Sequence, residues 1–273
     1  MAEPGKVAEP VLCHIEDGVA ILTLNNPPLN VVYKGLTEAL GEWLQRLADD
    51  ASVRVLVVTG AGDRAFCAGS DIAEFRPLMK KGMIVPAKLA LQHRVFAALD
   101  DFPKPTLAAI NGLAYGGGLE IAVCCDLIVA DAGARFALPE IKLGVFPGSG
   151  GPVRVTRRVG MSRAKELMFL GEPINAGTAL AWGLINRVTE AGQAMPTAMG
   201  LARTLVSGPP LALSLCKRAI DLAQGATENI AIAQALPLSD RVFSSTESQE
   251  GVRAFLAKES PNFPDALHPK ESL

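Results

Sequence analysis

Glu120 and Glu140 stand twenty residues apart, each in a setting that does not suit a charge. Glu120 lies in GGGLEIAVCC with Leu119, Ile121, Ala122 and Val123 around it, and Glu140 lies in ALPEIKLG beside Leu138, Pro139 and Ile141. A buried carboxylate is costly unless it is partnered or kept for a task. Two of them, joined by a segment that can return the chain to the same face, form an acid/base pair whose pKa values the surroundings can raise and separate.

The backbone ahead of Glu120 is bare over Gly116, Gly117 and Gly118. A glycine run between a strand and a helix lets a ligand approach the main chain, and the first helical N–H groups there lack partners. FCAGSDI, residues 66–72, offers a second such place, again where a strand runs towards a helix start. Glycines at such turns often serve only as steric relief, so the adjacent carboxylate carries the chemical reading. Two N–H donors for a carbonyl oxygen and two carboxylates for a proton describe a site that stabilises an enolate.

Other motifs carry less. GGGLEI lacks the G-x-G-x-x-G spacing of a dinucleotide site, and no GK[ST] phosphate loop occurs. Ser149 in GSGG does not fit the G-x-S-x-G nucleophile elbow. His14, His93 and His268 receive no role, Lys80-Lys81-Gly82 reads as a solvated loop, and Asp126 and Asp131 read as strand-flanking caps or ion-pair partners.

The elements that must position these groups follow an α/β order. VLCHIE and VAILTLN are β-rich runs around Asp17-Gly18, the signature of a type I′ hairpin. Leu40, Leu44 and Leu47 predict a helix over 37–48, and VRVLVVTG reads as a strand covered on both faces. Residues 87–99 are helical in period, Pro103 and Pro105 stop that helix, and TLAAIN is a short buried strand. A helix over about 119–125, strands in DLIVAD and ARFAL, and helices in SRAKELMFLG and NAGTALAWG follow. Beyond residue 200 no strand is evident, and Ser244 to Glu247 carry the capping-box pattern ahead of a last amphipathic helix. The expected organisation is an α/β core over 1–200 and a helical region over 201–273 that covers the core or binds a neighbouring subunit.

Bulk properties narrow the partners. The 273 residues are 49% hydrophobic and 20% charged, with a formal net charge of -2. That is ordinary for a globular chain and gives no electrostatic footprint for nucleic acid. Small molecules are the expected ligands. No apolar run reaches bilayer length, so no membrane association is expected. MAEPGKVAEP lacks the features of an export or transit segment, and five cysteines, an odd number, suit reduced thiols. A cytoplasmic location is expected from both.

The stretch NGLAYGGGLEIAVCCDLIVADAGARFALPEIKLGVFPGSGG resembles the signature of the enoyl-CoA hydratase/isomerase family, the crotonases, and FCAGSDI resembles that family's other site loop. The resemblance runs from the first hairpin to FLAKESPNF, essentially the whole chain. It implies a crotonase-like ββα spiral core and a homotrimer or homohexamer. It also implies that the N–H groups of Ser70 and Gly117 hold a thioester oxygen. Glu120 and Glu140 match the two glutamates of the hydratases, whereas isomerases of the family usually keep only the second. Both being present favours addition of water to a 2-enoyl-CoA, with Glu120 as base on the water and protonated Glu140 as acid towards Cα. Gly148 matches a glycine lining the water's side, and Pro139 is implied with it as a residue lining the substrate and water.

By the same resemblance, coenzyme A lies along Ala68, Ser70, Asp71 and Ile72, and Phe255 and Lys258 reach it from the last helix, often in a neighbouring subunit. Ala73 stands where relatives commonly carry a basic residue, and Asn26-Pro27-Pro28 lacks basic residues too, which implies fewer phosphate contacts. No metal and no cofactor other than the substrate's own coenzyme A is implied. The alternatives are a double-bond isomerase or a specialised acyl-CoA dehydratase of the family, and, from another class, a non-catalytic acyl-CoA-binding protein. Retention of both carboxylates argues against the last.

Overall fold

The computed structural model describes residues 9–263. Strands β1 (Val11–Glu16) and β2 (Val19–Leu24) pair antiparallel. Asp17 and Gly18 between them have φ of 47° and 78°, the paired positive values a type I′ turn requires. Helix α1 (Lys34–Asp49) buries Leu36, Leu40, Leu44 and Leu47, the stripe its spacing predicts. Strand β3 (Val55–Gly60) follows, then the short β4 (Ala65–Cys67). Where FCAGSDI suggested a helix start there are instead two 3-10 turns, Ile72–Glu74 and Arg76–Leu78, and a π-helical turn, Val85–Leu89, that leads into α2 (Ala90–Asp100).

Next come β5 (Thr106–Ile110), β6 (Leu113–Tyr115), α3 (Gly117–Ala122), β7 (Leu127–Asp131) and β8 (Arg135–Ala137). A 3-10 turn, Pro139–Leu143, carries Glu140. Helix α4 (Gly151–Leu170) begins eleven residues before the SRAKELMFLG segment in which a helix is legible, and bends at Gly160 (φ 76°). Its first turn is Gly-Pro, a composition that reads as loop, although Pro fits the start of a helix where its missing N–H costs nothing. The chain continues through β9 (Ile174–Asn175), α5 (Ala176–Ala181), β10 (Arg187–Thr189) and α6 (Ala194–Val206) to α7 (Pro210–Leu222), α8 (Glu228–Phe243) and α9 (Thr246–Ala257).

Two sheets organise these elements. One has the order β1-β2-β3-β5-β7-β10 and the other β4-β6-β8-β9. From β2 onward the first is parallel, as are the β4-β6 and β6-β8 pairs of the second. Successive units therefore place a strand in the large sheet, a short strand in the small sheet and then helix, so the chain winds as a ββα spiral. The sites fall where the short strands give way to turns and helices.

The large sheet is covered on both faces, which explains its near-continuous apolar strands. Val55, Val57, Leu107, Ala109 and Val129 pack against Ala194, Ala198, Met199 and Ala202 of α6, while Leu22, Leu56, Val58, Ala108, Ile110 and Ile128 point into the main core. Helix α6 thus spans residue 200 while lying on the sheet. The last helix is capped by Ser245, whose hydroxyl accepts from Ser248 N (3.2 Å). Glu247 is turned away from that cap: its buried carboxylate accepts from Leu211 N (2.8 Å) and Ala212 N (3.1 Å), the first turn of α7.

Candidate active site

The bare backbone of the sequence becomes a junction between two segments. Gly116 takes φ 48° and its N–H bonds Ala137 O (2.9 Å), which turns the chain from β6 into α3. A Cβ at Gly118 would collide with the Cys67 carbonyl at the end of β4. At Gly117 a Cβ would stand 3.0 Å from Ser70 Oγ and 3.7 Å from Ser70 N. These glycines let α3 press directly against the FCAGSDI loop.

Val32 fixes that loop from the other side. Its N–H bonds Gly69 O (2.7 Å) and its carbonyl accepts from Asp71 N (2.8 Å), which passes over Ser70 N. Among the described residues neither the Ser70 nor the Gly117 N–H has an acceptor. Two unpaired donors on neighbouring segments are what an oxyanion requires. Ala68 N is held by Leu29 O (2.9 Å), the Asp71 carboxylate accepts from Ala73 N (2.9 Å), and Ile72 is 57% exposed at the outer edge of the loop.

Glu120 projects from α3 and is 3% exposed. Its Oε1 accepts from Ser149 N (2.7 Å) and Gly151 N (2.8 Å), the entry to α4. Burial pushes its pKa up, while those two N–H groups and the Arg154 guanidinium favour the anion. Arg154 is itself held to Asp100 (2.9 Å).

Glu140 lies against Gly116: a Cβ there would be 2.8 Å from Glu140 Oε1. Its Oε2 is buried without a partner among the described residues. Burial raises its pKa to about 7, with the Glu120 charge adding to the rise. Burial raises both carboxyls; at Glu120 two N–H groups and a guanidinium oppose the rise, and at Glu140 only its own backbone N–H does.

Gly148 precedes Ser149 and faces Leu89, whose Cδ atoms would be 3.2 Å from a Cβ there. Pro139 opens the turn that carries Glu140. Phe255, 82% exposed, and Lys258 sit at the end of α9, and no hydrogen bond or ion pair joins them to the other site residues. Three residues receive no role from the sequence: Ser149, weighed there only as a nucleophile, and Gly151, both N–H donors to Glu120, and Gln92, whose Oε1 accepts from Ser149 Oγ (2.8 Å). The glycine-rich GSGG ahead of a proline was the one signal for the first two, since it marks a helix N-terminus as well as a loop. Among the described residues no cluster of three His, Cys, Asp or Glu is arranged to hold a metal, and no helix is long and apolar enough to cross a membrane.

A ββα spiral that brings together two backbone donors without an acceptor among the described residues, one buried carboxylate and one half-buried carboxylate defines a protein equipped for acyl-group enolate chemistry. By sequence, residues 14–266 match the family model for enoyl-CoA hydratase/isomerase, and the chain belongs to that family. It is 36% identical over 250 residues to the short-chain-enoyl-CoA hydratase of Clostridium acetobutylicum, covering 91% of this chain and 95% of that protein. It is 34% identical over 256 residues to the crotonyl-CoA hydratase of Syntrophomonas wolfei subsp. wolfei, covering 93% and 98%. The crystal structure of enoyl-CoA hydratase from Bacillus anthracis superposes with a TM-score of 0.88 at 30% identity, covering 93% of this chain and 98% of that one.

Proposed function

We propose that this protein is an enoyl-CoA hydratase that adds water syn across the double bond of a 2-enoyl-CoA to give the 3-hydroxyacyl-CoA. The observation that carries the reading is the pair of glutamates, Glu120 buried and Glu140 half-buried with Oε2 shut away from solvent, beside two N–H donors that have no acceptor among the described residues. Glu120, its anion favoured by Ser149 N, Gly151 N and Arg154, takes a proton from water as the water oxygen bonds Cβ. Electrons move to the thioester oxygen between Ser70 N and Gly117 N, and Glu140, protonated, gives its proton to Cα. The reaction calls for no cofactor beyond the coenzyme A of the substrate.

Coenzyme A runs along Ala68, Asp71 and the exposed Ile72, with Gly148 and Pro139 bordering the reacting centre. Phe255 and Lys258 reach the coenzyme of a neighbouring subunit, in keeping with their exposure on α9. The segment 201–273 serves assembly, as a homotrimer or a pair of trimers, and its residues 264–273 lie outside those described. Purified protein should consume the conjugated-thioester absorbance of crotonyl-CoA and yield 3-hydroxybutyryl-CoA. Binding without turnover would overturn the hydratase reading in favour of an isomerase, a specialised dehydratase or a binder.

A further inference from the structure

The reaction above makes no use of a buried ion pair that stands between the oxyanion half of the site and the half that carries Glu120. Lys88, 5% exposed, donates to Glu74 Oε2 at 2.5 Å and lies over the Phe75 ring, 4.8 Å from its centroid. Glu74 Oε1 accepts from Lys34 N (3.0 Å), the first N–H of α1. Tyr33 at that helix's N-cap offers no side-chain acceptor, so a carboxylate forty residues on does what a capping residue would.

Each end of the pair leads to one half of the site. Val32 bonds Gly69 O (2.7 Å) and Asp71 N (2.8 Å) on either side of Ser70, and Lys34 lies two residues further along the same stretch. The Val32–Ser70 bridge and the Lys34–Glu74 bond therefore hold both ends of the segment 70–74. On the other side, Lys88 and Gln92 share one face of the π turn and α2. Gln92 accepts from Ser149 Oγ (2.8 Å), and Ser149 N holds Glu120 (2.7 Å). Between the two ends, the backbone hydrogen bonds of Phe75 to Ala87 run to near neighbours in the chain, and Met79 and Val85 are exposed. The intervening turns supply little restraint of their own, and the ion pair closes them at the base.

We propose that Glu74 and Lys88 are positioning residues whose ion pair fixes the Ser70 N–H donor relative to the half of the site that carries Glu120. The inference rests on the hydratase reading and adds to it two residues that touch no reacting atom. Packed apolar side chains would hold the fold as well as a buried ion pair does, because desolvation of the charges offsets much of their attraction. What the pair adds is direction, a charge-assisted bond of defined length between two segments. An oxyanion donor acts only where the charge develops, so a small displacement of Ser70 N costs rate rather than affinity.

The test combines Glu74→Gln with Lys88→Met, which leaves an acceptor for Lys34 N and no buried ion unpaired, and sets it beside Glu74→Gln alone, which strands the ammonium. Melting temperature, crotonyl-CoA turnover and calorimetric affinity for butyryl-CoA are measured, and isotope-edited infrared difference spectroscopy follows the thioester carbonyl of bound butyryl-CoA. Glu74→Gln alone should melt lower, whereas the double variant should melt close to the unsubstituted protein. The double variant should also keep its affinity within a few-fold while kcat falls about ten- to a hundredfold. Its carbonyl stretch should move back towards the value in water. A double variant whose rate returns together with its stability, one whose loss lies wholly in KM, or one that fails to fold would each overturn the assignment. If the unsubstituted protein does not turn over crotonyl-CoA, the hydratase reading fails by itself. Weaker polarisation of the carbonyl in the double variant than in the unsubstituted protein would then still support the positioning pair, and equal or absent polarisation would end it.

Discussion

Glu120 and Glu140 are the same residue type, both raised by burial, with different hydrogen-bond partners. The first receives two backbone N–H groups at the start of α4, whose dipole adds to their effect, and the second leaves Oε2 buried and unpartnered. Burial raises Glu140 from 4.5 to about 7. Between those values the folded protein keeps a proton that the unfolded chain has lost, so this group's contribution is fully present below about 4.5 and is lost as pH rises to about 7. Glu120 is raised as well, so both carboxyls push stability the same way and a variant is needed to separate them. Glu140→Gln should melt a few degrees above the unsubstituted protein at pH 8 and level with it at pH 4. Identical melting differences at the two values would show that Glu140 is not held protonated. In the unsubstituted protein kcat/KM should fall as pH climbs past about 7, because the acid form of Glu140 is being lost.

At the scale of elements, the junction of α3 with β4 depends on Gly118 having no side chain. Gly118→Ala should cost about 1–3 kcal/mol in denaturant unfolding, since the Cys67 carbonyl is backbone and cannot swing aside. Gly133→Ala, with nothing within 4 Å of the added methyl, is the control and should stay within about 0.5 kcal/mol. Equal effects would contradict the close approach.

Elements whose signals are local were legible in the sequence. The Asp17-Gly18 hairpin, the α1 stripe and the buried parallel strands each follow from neighbouring residues. The start of α4 was hidden because its first turn is glycine and proline, and the capping-box pattern at Ser244 to Glu247 hid a carboxylate that caps a different helix. The glutamates and the two loops stood out by composition. What was not legible is which backbone groups answer Glu120, because Ser149 and Gly151 lie 29 and 31 residues away, and Gln92 lies 57 residues from Ser149. Those contacts exist only once the spiral closes.

At the scale of the whole molecule, the chain leaves large apolar side chains uncovered. Phe146, Met161, Phe169 and Leu170 lie on the α4 side, and Phe243, Phe255 and Leu256 on the last two helices, each at least 60% exposed. Exposure on this scale suits an assembly surface, and the proposed position of Phe255 and Lys258 at a neighbour's coenzyme gives that assembly a part in binding. Sedimentation velocity should show a trimer or hexamer, and a monomer at micromolar concentration would contradict the shared site.

The account turns on the two carboxylates acting together. Its most direct test is turnover of crotonyl-CoA by the unsubstituted protein, Glu120→Gln and Glu140→Gln, with crotonyl-CoA affinity and folding measured in parallel. Both variants should fold and keep affinity within a few-fold while kcat falls by about 10²–10⁴. Near-intact turnover in either folded variant would contradict the division of base and acid between Glu120 and Glu140.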